Sequence, residues 1–445
     1  MAVGAVGARG VLAGLPRAGH GPAVSRELIV LLYGAAIATV TQDRHGRHQL
    51  TYAQDHDGVD ATPLSLSMPV GARTHGGRVL DAYMAGLLPD SQAVRERWAD
   101  RWGVSPENSF ALLERMGLDC AGAVQFVAPD QVDQALTRPE DLRALTDGDV
   151  AERLAALRKD DSSWAAPGER WSLGGAQGKF TLARNRDGAW FEPTGGAAST
   201  HIVKPGVSGY RDQALNEHLC LLTAVACGLS AASTQFLTFD DQPALVVARY
   251  DRRRRGDDIV RIHQEDLGQA LSVYPRKKYE ASGGPGVGRI ATLLRDRASD
   301  ADTDVRRFVS GVIFNYLIGA PDAHVKNYSV LLAGPQVRLA PLYDVASALP
   351  YDITDPDSEL DRAAMSIGGH RVFGAVHGRH WDKMARSCRV PVPDVRANVT
   401  RLAHDLPGAL ERVVSKHVSG HDELGTRLVD RVRALCRATL DTLDT

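Results

Sequence analysis

The 445-residue chain has few cysteines: Cys120, Cys220, Cys227, Cys388 and Cys436, an odd number with no CxxC pair. Neither a disulfide framework nor a zinc ribbon is implied, and a reducing cytoplasm is the natural compartment. Charge of one sign is also lacking, since 52 Lys and Arg face 54 Asp and Glu for a formal net charge of −2. A broad basic face for nucleic acid is therefore not expected. The local run RYDRRRR, Arg249 to Arg255, reads as a solvated turn, with a phosphate-contacting patch as the alternative. No uncharged apolar run has the length of a membrane helix. Residues 1–24 are rich in Gly and Ala but interrupted by Arg9, Pro16 and Arg17, so residues 1–26 read as a flexible extension rather than a secretory signal.

What is present is an ordinary globular composition, 44% apolar and 24% charged, enough for two or three domains or one two-lobed enzyme. From Glu27, ELIVLLYGAAIATVTQD predicts a strand and a hairpin. LSLSMPV and AYMAGLLPDSQAVRERWADRWGV predict an extended stretch and a helix, punctuated by Pro69 and Pro89. SPENSFALLERMGL predicts a helix with Ser105 as its N-cap. Residues 27–128 thus read as a mixed α/β subdomain, and the acidic stretch 129–163, with the single helix DVAERLAALRKDD, as a linker. Residues 164–261 read as a β-rich lobe, from Gly- and Asp-Gly-bounded strands in SLGGAQGKFTLARN, RDGAWFEP and HIVK and a hairpin in TQFLTFDDQPALVVARYD. Residues 262–445 read as a mainly helical lobe, apart from a hairpin after Asn327.

That hairpin organises the candidate site. YSVLL and VRLAPL alternate around AGPQ, and in an antiparallel pair the residue before the first strand and the residue after the second lie at the same end. Asn327 and Asp344 should therefore meet, and Asp322 stands five residues before Asn327. Two Asp and one Asn in this order suit protein-kinase-type phosphoryl transfer: a base for the acceptor hydroxyl, and two oxygen ligands for Mg²⁺. Lys204, ending the strand HIVK, is a candidate phosphate-binding lysine, with Glu217 on the next helix as its partner, and SLGGAQGK supplies a glycine-rich turn. That turn is not a Walker A motif, because Leu173 and Phe180 stand where Gly and Ser or Thr are needed. GGPGVGR follows no strand and does not fit GxGxxG. His201, His218, His263, His324 and His370 are scattered without a zinc spacing.

With these residues assembled, the chain resembles the HipA family, serine/threonine-protein kinase toxins of HipBA-type toxin and antitoxin modules. The likeness runs through LYG, LSLSMP, GLLPD, GLDCAGAVQF, SLGGAQGK, HIVKP, NEH, RYDR, HQEDLGQAL, KYE, LIGAPDAHVKNYSVLL, LAPLYDV and MSIGG. It implies an α+β, two-lobed, protein-kinase-like fold with a β-rich N-terminal lobe and a helix-rich C-terminal lobe. It further implies Asp322 as catalytic base, and Asn327 and Asp344 as Mg²⁺ ligands. ATP would be bound by Lys204, Ser172, Gly174, Gly175, Ala176, Gln177, Lys179, Arg249, Tyr250, His324 and Lys326. Ser172 would be an autophosphorylation site whose modification silences the enzyme. Expected partners are a HipB-like helix-turn-helix antitoxin, a protein substrate of the aminoacyl-tRNA synthetase kind, and operator DNA mainly through the antitoxin. An inactive corepressor and a small-molecule phosphotransferase are the competing readings. The chain departs from the family at Ala248, where relatives carry Glu, and at Gly178 and Phe180 in the loop.

Overall fold

The computed structural model describes residues 26–137, 141–166, 168–256, 258–352, 358–418 and 421–444. The expected N-terminal extension therefore lies outside the described residues except for Arg26, which opens a strand.

Strand Arg26–Leu32 is buried on both faces, which is why LIVLL reads as a continuous apolar run rather than an alternation. Leu28, Val30 and Leu32 enter one large core, while Ile29 and Leu31 face a small one with Leu118, Val127 and Val132. It lies in a five-stranded antiparallel sheet whose order is Thr74–Gly76, His48–Tyr52, Ala35–Gln42, Arg26–Leu32, Val124–Val127. Pro89 separates two helices, Arg78–Leu87 and Gln92–Trp102, rather than punctuating one. The next helix, Ser109–Met116, is capped by Asn108, whose side chain accepts from the Ala111 amide at 3.1 Å. Ser105, the expected cap, is instead spent on a turn, where it accepts from the Glu107 amide at 3.3 Å.

The second sheet has six strands in the order Thr234–Phe239, Gln242–Ala248, His201–Lys204, Phe180–Arg184, Trp190–Thr194, Asp141–Leu145. Its last strand falls in the stretch expected to be a linker. Helix Asp147–Lys159, capped by Thr146, follows it and buries Val150, Leu154 and Leu157 in the core that also holds Leu28 and Phe180. The helix in the 129–163 stretch is thus structural: an acidic solvent face concealed an apolar stripe of Val150, Ala151, Leu154 and Leu157. The two sheets share that core.

The C-terminal lobe is built on Val287–Arg297, Ala301–Leu317, Gly378–Cys388, Val392–His417 and Asp422–Asp441, packed with helix Gln213–Ala226 around a third apolar cluster. Two β elements here were not expected. Strand His263–Asp266 pairs with Ser329–Ala333, and Arg362–Ile367 pairs with His370–Val372. The former escaped notice because its inward residues, His263 and Glu265, are polar yet fully buried.

The arginine run is divided. Arg249 and Arg252 are 2% exposed and grip Asp119 and Asp251, with Arg252 Nη2 at 2.8 Å from Asp119 Oδ1 and Arg249 Nη2 at 2.8 Å from Asp251 Oδ2. Arg253 to Arg255 lie exposed on a two-stranded ribbon, Arg252–Arg255 with Asp258–Arg261. A solvated turn is therefore not what the first half of RYDRRRR forms.

Candidate active site

A cavity of about 910 Å³ lies between the six-stranded sheet and the helical lobe. The helix Ala301–Leu317 leads to its edge and stops at Ile318. Gly319 then turns the chain at φ 72°, so close to Leu349 that a β-carbon would sit 2.3 Å from it. The next residues carry Asp322 into the cavity and run through a short 3₁₀ turn, Val325–Asn327, into the hairpin Ser329–Ala333 and Gln336–Leu339. At the open end of that hairpin Asn327 Nδ2 donates to the Asp344 backbone carbonyl at 3.4 Å. Asp344 holds a left-handed φ of 58°, a conformation that a non-glycine residue adopts at a cost and that often marks a working site.

Lys204 arrives from the sheet. Its ammonium is 2.7 Å from Glu217 Oε1 and 2.5 Å from Asp344 Oδ1. Burial works against its charge, but the two carboxylates reverse that and raise its pKa, so it is a fixed cation. Burial also opposes the Asp344 carboxylate, yet Lys204 and Lys179 hold it below the ordinary range. The Lys204 side chain is 6% exposed and that of Asp344 37%, so the carboxylate presents its remaining oxygen valences to the cavity.

Asp322 faces them with a side chain 59% exposed. The surrounding walls raise its pKa, partly offset by a hydrogen bond from the Tyr279 hydroxyl. His324 Nε2 is 3.9 Å from Asp322 Oδ1, while its Nδ1 is buried without a hydrogen-bond partner among the described residues. Burial depresses the His324 pKa to about 3, so the ring is neutral at ordinary pH.

The glycine-rich loop closes the cavity, with Gly174, Gly175, Ala176, Gln177 and Lys179 on its wall. Gly175 takes φ 102°, and Gly178 leaves room for the Asp161 carboxylate, which a β-carbon would approach to 2.2 Å. Lys179 folds back on the loop, donating to the Gln177 carbonyl at 2.7 Å and standing 4.2 Å above the Trp164 ring. Burial, then the charge of Lys204, lower its pKa to about 7.

Not every expected ATP contact faces the cavity. Ser172 is fully buried in a short parallel pairing with Asp119–Cys120, and its hydroxyl donates to the Leu87 carbonyl at 2.8 Å. In this conformation it does not line the cavity. Arg249 reaches the wall, but its guanidinium is committed to Asp119, Asp251 and the Cys120 carbonyl. Tyr250 lines the cavity, with its hydroxyl on Gln264 and its ring 5.7 Å from that of Tyr343.

Among the lining residues not expected from the sequence are Asp90, Lys278 and Tyr279. Asp90 accepts from Lys326 at 2.5 Å and Lys278 at 2.9 Å, while its amide donates to the Gly175 carbonyl at 2.8 Å. The only signal of these three was the presence of short motifs, GLLPD and KYE, with no recognisable local chemistry.

The fold and the charged cleft between its lobes define the chain as two-lobed, α+β and kinase-like. The HipA-like C-terminal domain family matches residues 171–410, and the HipA N-terminal domain family matches residues 28–127. The chain is 36% identical over 393 residues to "Putative kinase Y4mE" of Sinorhizobium fredii, covering 87% of this chain and 92% of that one. It is 29% identical to the serine/threonine-protein kinase toxin HipA of Shewanella oneidensis, over 79% of this chain and 81% of that one. Its fold is similar to that in the solved complex of HipA, HipB and operator DNA from the toxin–antitoxin system of Shewanella oneidensis MR-1. That match has a TM-score of 0.81 and 25% identity, and covers 94% of this chain and 98% of the other. The chain belongs to the HipA family of kinases.

Proposed function

We propose that this protein is an ATP- and Mg²⁺-dependent serine/threonine-protein kinase, the toxin of a type II toxin–antitoxin module restrained by a HipB-like antitoxin. The observation that carries this reading is the convergence of Lys204, Asn327 and Asp344 on one side of a cavity whose other side holds Asp322. Asn327 and Asp344 offer the oxygen donors a hard cation needs, few enough to leave room for water and phosphate oxygens. When bound, Mg²⁺ neutralises charge on the β- and γ-phosphates. Lys204, fixed by Glu217, holds the nucleotide phosphates, and the loop amides from Gly174 to Gln177 cover them. Asp322 orients an acceptor hydroxyl and takes its proton as the oxygen bonds to the γ-phosphorus. The bond from that phosphorus to the bridging oxygen breaks, and ADP leaves.

Self-inactivation is part of the reading. Ser172 must leave its bond to the Leu87 carbonyl to be phosphorylated, and a dianion cannot return to a site sealed from water. The modified loop would then stay away from the nucleotide. Growth arrest would follow from phosphorylation of a protein target, with an aminoacyl-tRNA synthetase as the expected kind. Operator DNA would be met mainly through the antitoxin, with Arg253 and Arg255 as the exposed arginines of that run that could touch phosphates, since Arg254 donates to the Arg184 carbonyl at 2.8 Å. Five buried, free cysteines suit a cytoplasmic setting, and no helix among the described residues is long and apolar enough to cross a membrane.

Phosphopeptide mass spectrometry of the protein after incubation with ATP and Mg²⁺ tests this. Phosphate on Ser172 in the parent and none in Asp322→Ala is the expected result. Folded parent that binds ATP and acquires no phosphate would favour a non-catalytic partner of the antitoxin.

A further inference from the structure

A second cavity, of about 800 Å³, adjoins the first and shares Tyr279 as part of its wall. Its walls come from three distant parts of the chain: the N-terminal subdomain, through His48, Asp81, Gln92 and Glu107, the segment from Tyr274 to Tyr279, and Ala176 of the glycine-rich loop. Gln92, Glu107 and Arg276 are exposed, so the cavity is a groove reached from the surface. Asp90, Ala176, Lys278 and Tyr279 line both this groove and the cleft that holds Asp322.

Tyr279 is the member of that shared wall that touches the reacting end of the cleft. Its hydroxyl donates to Asp322 Oδ1, and its ring meets His324 edge-on with centroids 4.9 Å apart. The backbone on either side is anchored. Lys278 Nζ is 2.9 Å from Asp90 Oδ2, and the Glu280 carboxylate accepts from the Ser366 amide at 2.5 Å and hydroxyl at 2.9 Å. The Tyr279 side chain, half-buried, is left as the movable element between two pinned neighbours.

A hydroxyl donating to Asp322 is the contact that a phosphoacceptor must itself make before transfer. Tyr279 therefore occupies the acceptor's place from the groove side. We propose that the groove binds an extended, serine- or threonine-bearing segment of the protein acceptor, and that the Tyr279 hydroxyl holds the acceptor's position on Asp322 until that segment displaces it. This rests on the kinase reading above. A groove of this size, walled by separate chain segments and rimmed by exposed polar residues, suits several residues of extended polypeptide at about 3.3 Å each. A carboxylate occupied in this way would also slow transfer to water when no acceptor is bound.

The test uses the full chain with Mg²⁺ and ATP, myelin basic protein as a generic acceptor, and phosphate release to water measured alongside. Tyr279→Phe removes the competing hydroxyl while keeping the ring. It should lower the acceptor KM about threefold, the scale of one exchanged hydrogen bond, and raise phosphate release to water. Gln92→Trp, at an exposed position that lines the groove but not the cleft, should raise the acceptor KM several-fold. A fall in kcat with unmoved acceptor KM in Tyr279→Phe would mean that Tyr279 merely orients Asp322, and would overturn the proposal. An unmoved acceptor KM in Gln92→Trp would equally remove the groove from acceptor binding. A parent that binds ATP but transfers phosphate to neither water nor protein would instead refute the kinase reading itself, and this inference with it.

Discussion

The Arg249 cluster and the Lys204 cluster are made of the same materials, cations and carboxylates withdrawn from bulk water, yet they end in opposite conditions. Around Arg249 every strong group is spent inside. Asp119 takes Arg249, Arg252, Arg261 and the Ser199 hydroxyl, while Asp251 takes Arg249, Arg252 and the Gly122 amide. Around Lys204 one carboxylate is enclosed and the other is not: Glu217 is 1% exposed and Asp344 37%. A sealed network joins the N-terminal subdomain to the sheet and can do little else. An unsealed one keeps charge and lone pairs available to a ligand. Burial alone does not mark a functional ion pair; unfilled valence on one member does.

The largest effect is expected at Asp119. Asp119→Ala leaves three guanidinium groups buried around an empty position, and it should cost about 3–5 kcal/mol, read as a large fall in the thermal unfolding midpoint. Asp119 also adds a pH signature. Burial raises its pKa, but Arg252, Arg249 and Arg261 outweigh that and pull it below the usual carboxylate range. Its stabilising contribution is therefore complete above about pH 4, the unfolded value, and is lost as pH falls through the folded one. Asp344→Asn should do the reverse of Asp119→Ala. Lys204 keeps Glu217, so the fold should change little, whereas phosphoryl transfer should fall at least about a hundredfold, as for loss of a charge that acts on the transition state. A parallel loss of stability and activity in Asp344→Asn would erase the distinction between the two clusters.

Local rules made some of this visible in the residues alone. Strand alternation in YSVLL and VRLAPL already places Asn327 and Asp344 at one end of a hairpin, and a strand lysine followed by a helix glutamate already suggests Lys204 beside Glu217. What the sequence concealed depends on long-range contact. Asp90 meets Lys278 and Lys326 across 188 and 236 residues, a relation no window of sequence contains. The resemblance places Ser172 against ATP, but its neighbours Trp171 and Leu173 are apolar and buried, and they draw it inward. Arg249 and Arg252 looked solvated because their partners, Asp119 and Asp251, are recognisable as partners only once the two sheets are brought together.

Glu265 sharpens the comparison from a third side, because it is a buried carboxylate with neither a sealed cation nor an open valence. It joins the N-terminal subdomain to strand His263–Asp266 by accepting from the Leu66 amide at 2.7 Å, with the Ser65 hydroxyl 2.5 Å from its other oxygen. Burial, with the charge of Asp266 adding, raises its pKa to about 8 despite those two donors. A carboxyl group raised in the folded state stabilises fully below its unfolded pKa, about 4.3, and that contribution is lost as pH rises through 8. The thermal midpoint should therefore decline between pH 6 and 8, by about 2 kcal/mol of stability, where the Asp119 contribution is already constant. Glu265→Gln keeps the shape and cannot titrate, so it should flatten that slope while leaving the acid limb set by Asp119 in place. An equal slope in Glu265→Gln would mean that the joint between the subdomain and the lobe is held by packing around Leu66 rather than by a protonated carboxyl.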